Sequence, residues 1–158
     1  MDTRTEKAFL GKARHNLKNP VNAILGYSEM LIEDCEDEGF DRLIPDINKL
    51  NQAGNEILAS IEEIFNDKAL SDPDKSISTI AEEMEVALRT PLNTIIGYSE
   101  LLLEESDKVD IDNFVGIKNW KAIGNKLIGY SRLSSFKIIE NSKASNNNDT
   151  ESLELTLF

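Results

Sequence analysis

Apolar residues recur every three or four positions through the first part of the chain. Leu10, Ala13, Leu17, Val21, Ile24, Ser28 and Leu31 fall on one line, which predicts a helix with one mostly apolar face. The acidic stretch Asp34 to Asp41 predicts a loop, and Pro45 sits where a second helix would start. Ile47, Leu50, Gly54, Ile57, Ile61 and Ile64 then alternate steps of three and four, a heptad seam suited to left-handed bundle packing. Pro20 lies inside the first periodic run, which continues past it, so it predicts a kink and not a helix end. Further along, Ile117, Trp120, Gly124, Leu127 and Ser131 follow the same rhythm less cleanly.

The two periodic stretches belong to a repeat. Residues 17–33 (LKNPVNAILGYSEMLIE) and 88–104 (LRTPLNTIIGYSELLLE) share ten identities in seventeen positions at an offset of 71. A second match, at an offset of 70, sets Ile47, Leu50 and Gly54-Asn55 beside Ile117, Trp120 and Gly124-Asn125. The expected organisation is a first helical hairpin over 1–67, a linker over 68–78 with the turn signal Ser71-Asp72-Pro73-Asp74, and a second hairpin over 79–138. A polar, Asn- and Ser-rich tail over 139–158 ends in an alternating, strand-like Leu153 to Phe158 that looks cut from something longer. One hairpin cannot cover its own apolar seam, but two can. The predicted fold is therefore all-α: two antiparallel hairpins closing a four-helix bundle, as a single-chain pseudo-dimer or as a swapped homodimer. Gly26, Gly97, Gly54 and Gly124 are expected to let helices approach closely, and Tyr27 and Tyr98 to pack at the rim.

Composition narrows the function classes. The 158 residues carry 17 Lys and Arg against 29 Asp and Glu, a net charge of −12 that argues against binding nucleic acid through its phosphates. No apolar run is long enough for membrane insertion, and the amino terminus has no signal-peptide character. The lone Cys35 allows no internal disulfide and fits a reducing, cytoplasmic setting. The acidic run fails as a calcium loop, because the closing Glu would fall at Pro45; one His and one Cys make no structural zinc site. No metal or cofactor is expected in this chain.

The single histidine is the candidate for chemistry. In His15-Asn16-Leu17-Lys18-Asn19-Pro20, His15 and Asn19 are one turn apart and share a face away from the apolar line, so the imidazole should be exposed. Lys12, Arg14 and Lys18 make this stretch locally basic in an acidic protein, which favours a phosphoryl group. A bare surface histidine is more often incidental than nucleophilic, so the surrounding pattern decides its weight.

That pattern, HNLKNPVNAILGYSEML, resembles the phosphoacceptor motif of the histidine-kinase dimerisation domain. In that family a His is followed by an acid, a basic residue, Asn or Thr, and Pro, and then by Asn-x-Ile-x-Gly-Tyr-x-Glu. LRTPLNTIIGYSELL matches the same pattern from its Pro onward, so the resemblance covers both hairpins, with the second degenerate. It implies that His15 accepts a phosphoryl group, that Lys18 fills the usual basic position, and that Asn19 orients water for dephosphorylating a receiver aspartate. The implied partner is a response-regulator receiver domain, which would bring its own magnesium and acidic cluster. The tail 151–158 resembles the segment leading into an ATP-binding kinase domain, though no Gly-rich ATP lid lies in the chain itself.

Two departures bear on mechanism. Asn16 stands where the family usually has Glu or Asp, and it cannot accept a proton at neutral pH. Val86 stands where the second hairpin would carry its histidine, with Ala87 in place of the acid, while Arg89, Thr90 and Pro91 remain. The expected function is a phosphorelay module in two-component signal transduction. The alternatives are a non-catalytic scaffold bundle and the dimerisation part of a longer sensor kinase.

Overall fold

The computed structural model describes residues 3–108 and 123–129. Among these residues every regular element is helical, which bears out the all-α expectation. Helix α1 spans Thr3–Glu38, α2 spans Ile44–Ile64, the short α3 spans Asp67–Ser71, and α4 spans Ile77–Lys108. A further helical segment covers 123–129. The strand-like tail, Trp120 and most of the stretch expected to form the return helix of the second hairpin lie outside the described residues.

Helix α1 runs five residues into the acidic stretch that the sequence marked as a loop. Two features end it. Gly39 adopts φ 80°, a left-handed conformation that glycine takes without steric cost. The next amide, Phe40 N–H, donates back to the Cys35 carbonyl at 2.8 Å, closing a Schellman cap. The acidic side chains Glu36, Asp37 and Glu38 are therefore carried on helix, while Cys35 and Leu31 point into the core. The connection is only Gly39 and Phe40 before a 3-10 turn at Asp41–Leu43, and α2 begins with Pro45 in its first turn as the sequence predicts. Both prolines inside the long helices, Pro20 in α1 and Pro91 in α4, leave those helices uninterrupted.

The stretch between the hairpins holds more structure than a linker. Asn66 caps α3 by accepting from Ala69 N–H at 2.7 Å, and Asp72 Oδ1 accepts from Asp74 N–H at 2.9 Å to form the turn through Pro73. Ser76 Oγ then accepts from Thr79 N–H at 3.2 Å, so α4 starts two residues before the expected hairpin boundary. Three side-chain caps in eleven residues turn the chain from α2 into α4.

Helix α2 packs along both α1 and α4, which scarcely approach each other. Four contacts fix the α1–α2 register: Arg14 with Phe65, Lys18 with Glu62, Ser28 with Asn51, and Leu25 against Gly54. Every pair is centred on residues 39–40, the turn itself, as an antiparallel hairpin requires. At the other end Arg42 pairs with Glu105 at 3.2 Å, bringing the start of α2 beside the end of α4. Helices α1 and α4 thus run parallel, each antiparallel to α2. Segment 123–129 closes the ring: Gly124 lies against Leu103 of α4, and Lys126 Nζ sits 5.3 Å from the centroid of the Tyr27 ring on α1. The four members surround one apolar core that includes Leu17, Ile24, Leu31, Leu50, Ile57, Met84, Ile95, Leu102 and Leu127.

The repeat is visible in this core. Across the seventeen aligned positions of α1 and α4, burial class agrees everywhere except at Lys18, half-buried, and Arg89, exposed. Tyr27 and Tyr98 both pack against the core as partly buried rim residues. The return helices do not follow the same alignment. Gly54 opposes Leu25, so the aligned Gly124 would oppose Ile96; it meets Leu103 instead. The displacement is seven residues, about 10 Å along the helix. A heptad shift preserves which face points inward, and so it leaves the apolar seam intact.

Two of the four glycines expected at close approaches are not there. A Cβ at Gly54 would lie 2.8 Å from Leu25 Cδ2, and one at Gly124 would lie 3.1 Å from Leu103 Cδ2. Gly26 and Gly97 are exposed, with nothing within 4 Å of an added Cβ. Gly97→Ala should raise stability by roughly 0.5–1 kcal/mol, the helix-propensity gain without a clash. Gly54→Val should lower it by about 1–3 kcal/mol by pushing α2 off Leu25. Urea unfolding followed by circular dichroism measures both, and a stabilised Gly54→Val would refute the packing assigned to that glycine.

Cys35 supplies a pH signature of the same corner. Burial, reinforced by the carboxylates of Asp34 and Asp41, pushes its thiol from the ordinary 9.0 up to about 11. The unfolded chain releases this proton first, so the thiol's contribution to stability is fully present below pH 9 and is lost as the pH rises towards 11. The loss should be on the order of 2 kcal/mol. Unfolding midpoints measured at pH 8 and pH 10.5 should differ more for the wild type than for Cys35→Ala.

Candidate functional site

His15 lies near the middle of α1, on the side facing away from α2 and the core, and it is exposed. The helical pattern explains this. Leu17 and Ala13 flank it on the buried line, which leaves positions 12, 15 and 19 for solvent. Lys12 and Asn19 are exposed on the same face, one turn before and one turn after the imidazole. Pro20, buried behind Asn19, has no N–H to bond the Asn16 carbonyl, so the helix around His15 has one fewer internal bond than an ordinary turn.

The neighbouring polar residues are partly committed elsewhere. Arg14 Nη1 donates to the Phe65 carbonyl at 2.7 Å and to Asp67 Oδ1 at 3.0 Å. Lys18 Nζ pairs with Glu62 Oε1. Two of the three cations that make the sequence locally basic therefore belong to clamps that hold α1 against the end of α2 and the start of α3. Lys12 has no ion-pair partner among the described residues. The site keeps three cations against two anions, a milder basic field than the sequence pattern implied. Glu62, Asp67 and the Phe65 carbonyl are the residues that the sequence reading missed. Reflection about the Gly39–Phe40 turn would have found them, since it sets Arg14 opposite Phe65 and Lys18 close to Glu62.

Asn16 turns away from His15's open face. It is half-buried, and its Nδ2 is shut off from solvent without an acceptor among the described residues. His15, Lys12, Lys18 and Asn19 thus form one accessible strip, while Asn16 stands behind it. Among the described residues no group of three or more His, Cys, Asp or Glu side chains could hold a metal ion.

On α4 the corresponding place is taken by Val86, 67% exposed and aligned with His15 in the repeat. Arg89 and Thr90 are exposed one turn further, as Lys18 and Asn19 are partly or fully exposed on α1. Since α1 and α4 run parallel, the two strips lie at the same end of the bundle, on different sides. Only the α1 strip carries a nucleophile.

Comparison with known proteins locates the resemblance. Residues 5–67 match the His Kinase A (phospho-acceptor) domain family. The cell-division control histidine kinase PdhS of Brucella anthropi is 30% identical over 59 residues, which is 37% of this chain and 6% of that protein. PdhS of Brucella ovis and of Brucella suis match with the same identity and coverage. The chain therefore spans only a small fraction of the curated relatives it matches. No solved structure matches it. The family match falls on α1, the turn and α2, the segment that carries His15, and ends at residue 67; with the relatives it supports a histidine-kinase phosphoacceptor domain there. No helix among the described residues is long and apolar enough to cross a membrane.

Asn16→Ala should stabilise the bundle by about 1 kcal/mol, because it removes a buried donor with no acceptor and improves helix propensity. Thermal unfolding of the two proteins checks this. A loss of stability would show that the Asn16 amide has a partner and serves the fold.

Proposed function

We propose that this chain is a phosphotransfer bundle in which His15 exchanges phosphoryl groups with the aspartate of a response-regulator receiver domain, and in which the second hairpin is a degenerate copy serving as structural partner. What carries this reading is the position of His15: an exposed imidazole on a rigid helix, in the segment that matches the phosphoacceptor family, with accessible Lys12 and Asn19 one turn away on either side.

The chemistry asks little of the bundle beyond placement. The imidazole's unprotonated ring nitrogen attacks the phosphorus of the receiver's aspartyl phosphate. The bond from phosphorus to the carboxylate oxygen breaks, the carboxylate leaves with the electron pair, and the imidazole's N–H proton passes to water. The receiver contributes the divalent ion that neutralises charge on the transferring group. Lys12 and Lys18 would face the phosphoryl oxygens, and Asn19 is the residue able to orient a water when the receiver is dephosphorylated. Asn16 cannot draw a proton from the imidazole at neutral pH. Transfer from a receiver, where the imidazole need only meet an activated acyl phosphate, therefore suits this site better than attack on ATP.

A second reading, a bundle that binds partners without chemistry, is favoured by Val86 and Asn16, the two places where the family's reactive groups are missing. One experiment separates them. Receiver domains from the same genome, each loaded with radiolabelled acetyl phosphate, are mixed with wild type and with His15→Ala. The phosphotransfer reading expects acid-labile label on wild type and none on the variant. Equal loss of label from the receivers in both would leave only the scaffold.

A further inference from the structure

Exposed positions on the two parallel helices have diverged in one direction. Around His15 the accessible strip reads Gly11, Lys12, Lys18 and Asn19; around Val86 the same four positions are Glu82, Glu83, Arg89 and Thr90. Arg14 is matched by Glu85. Glu82, Glu83 and Glu85 are all exposed, and Lys75 pairs with Glu83 at 3.1 Å. Among the described residues the α4 strip thus holds three carboxylates against two cations, Lys75 and Arg89, where the α1 strip with its clamp partners Glu62 and Asp67 holds three cations against two carboxylates. Over 17–33 and 88–104 the buried positions coincide, while nearer the strip the core also differs, with Leu10 matched by Ala81 and Ala13 by Met84. At the exposed surface a partner would meet, the difference reverses the sign of the local charge.

We propose that Glu82 and Glu83 are specificity-determining residues that keep the α4 face closed to phosphoryl donors, so that the bundle presents one working face and not two. This rests on the phosphotransfer reading of His15. A donor approaching either strip leads with negative charge: the phosphoryl group itself and the acidic cluster that holds the receiver's metal. Like charge on the approach surface slows encounter and opposes docking, while the cationic strip does the reverse. Loss of the histidine at position 86 alone would leave a receiver free to occupy the α4 face unproductively. The carboxylates remove that competition, and the chain engages one receiver at a time at His15.

The test transplants the face. In a His15→Ala background, Val86→His alone is compared with Val86→His combined with Glu82→Gly and Glu83→Lys, which places the α1 residues at these three positions. All three positions on α4 are exposed, and circular dichroism confirms that each variant keeps the wild-type helix content. The donors are the phosphorylated receiver that labels wild type fastest and, in parallel, potassium phosphoramidate, a small anionic donor that needs no docking surface. The proposal expects the transplanted face to accept label from the receiver about tenfold faster than Val86→His alone, with the gap closing as salt rises from 50 to 500 mM. Equal rates for the two variants, or a gap indifferent to salt, would overturn it. So would a receiver that labels wild type yet ignores both variants. If no receiver labels wild type, the reading of His15 fails by itself. Phosphoramidate then decides the electrostatic claim: faster labelling of the transplanted face supports it, and equal labelling ends it.

Discussion

The register of α2 against α1 governs the site. Gly54 lets α2 settle onto Leu25, and from that contact the antiparallel geometry dictates every other pairing along the hairpin. Three residues below, the fully buried Ser28 donates to the Leu25 carbonyl at 2.8 Å and accepts from Asn51 Nδ2 at 3.0 Å, satisfying a polar group in the core. Above, the same register brings Glu62 to Lys18 and the end of α2 to Arg14. A shift by one residue would turn the seam off its face and would break the bond from Asn51 to Ser28. The clamps around His15 are the far end of this register, so the cations beside His15 are set by packing some 15 Å away, about ten residues along the helix.

Helix α4 and segment 123–129 obey the same packing rule with a different solution. Its fully buried Ser99 aligns with Ser28, yet its Oγ has no hydrogen-bond partner among the described residues. The aligned return helix would have brought a partner opposite Ser99, but Gly124 has moved one heptad to Leu103. Apolar packing survives such a shift because the seam repeats every seven residues. A specific polar pair does not survive it, since Asn51 has only one counterpart. The bundle thus tolerates a displaced fourth helix at the cost of one unsatisfied hydroxyl, and that displacement falls on the side without a histidine.

Much of this was legible beforehand, for a physical reason: helical periodicity and a repeat report which residues share a face. The apolar lines of α1 and α2, the start of α2 at Pro45, the antiparallel hairpin and the exposure of His15 all follow from spacing alone. What spacing does not report is where a polar run stops being loop. Asp34 to Glu38 reads as solvated, but Leu31 and Cys35 continue the buried line through it, so α1 carries on until Gly39 can turn. Spacing also does not say which small residue is pressed by a neighbour. Gly26 and Gly54 look alike in sequence, and only the placement of the adjoining helix tells them apart. The pairing of Arg14 and Lys18 was hidden for a related reason: their partners are about fifty residues away, and the turn position must be known before the reflection can be drawn.

Carrying α1 and α4 as separate stretches of one chain changes what selection can act on. In a symmetric homodimer each surface residue appears twice, so a change that closes one face closes both. With α1 and α4 encoded separately, the core still binds them together, because both press on the same α2 and must offer it the same apolar line. That shared constraint accounts for burial that agrees at nearly every aligned position. The exposed positions carry no such constraint, and there the helices differ in the residues that matter for an approaching anion: His15 against Val86, Lys12 against Glu83, Arg14 against Glu85. Random drift would scatter such differences over the whole exposed surface. Yet Asn22 and Asn93, Gly26 and Gly97, Met30 and Leu101 are exposed too, and they remain identical or alike. The change is concentrated within a turn or so of His15 and Val86, where charge decides which face an approaching anion meets.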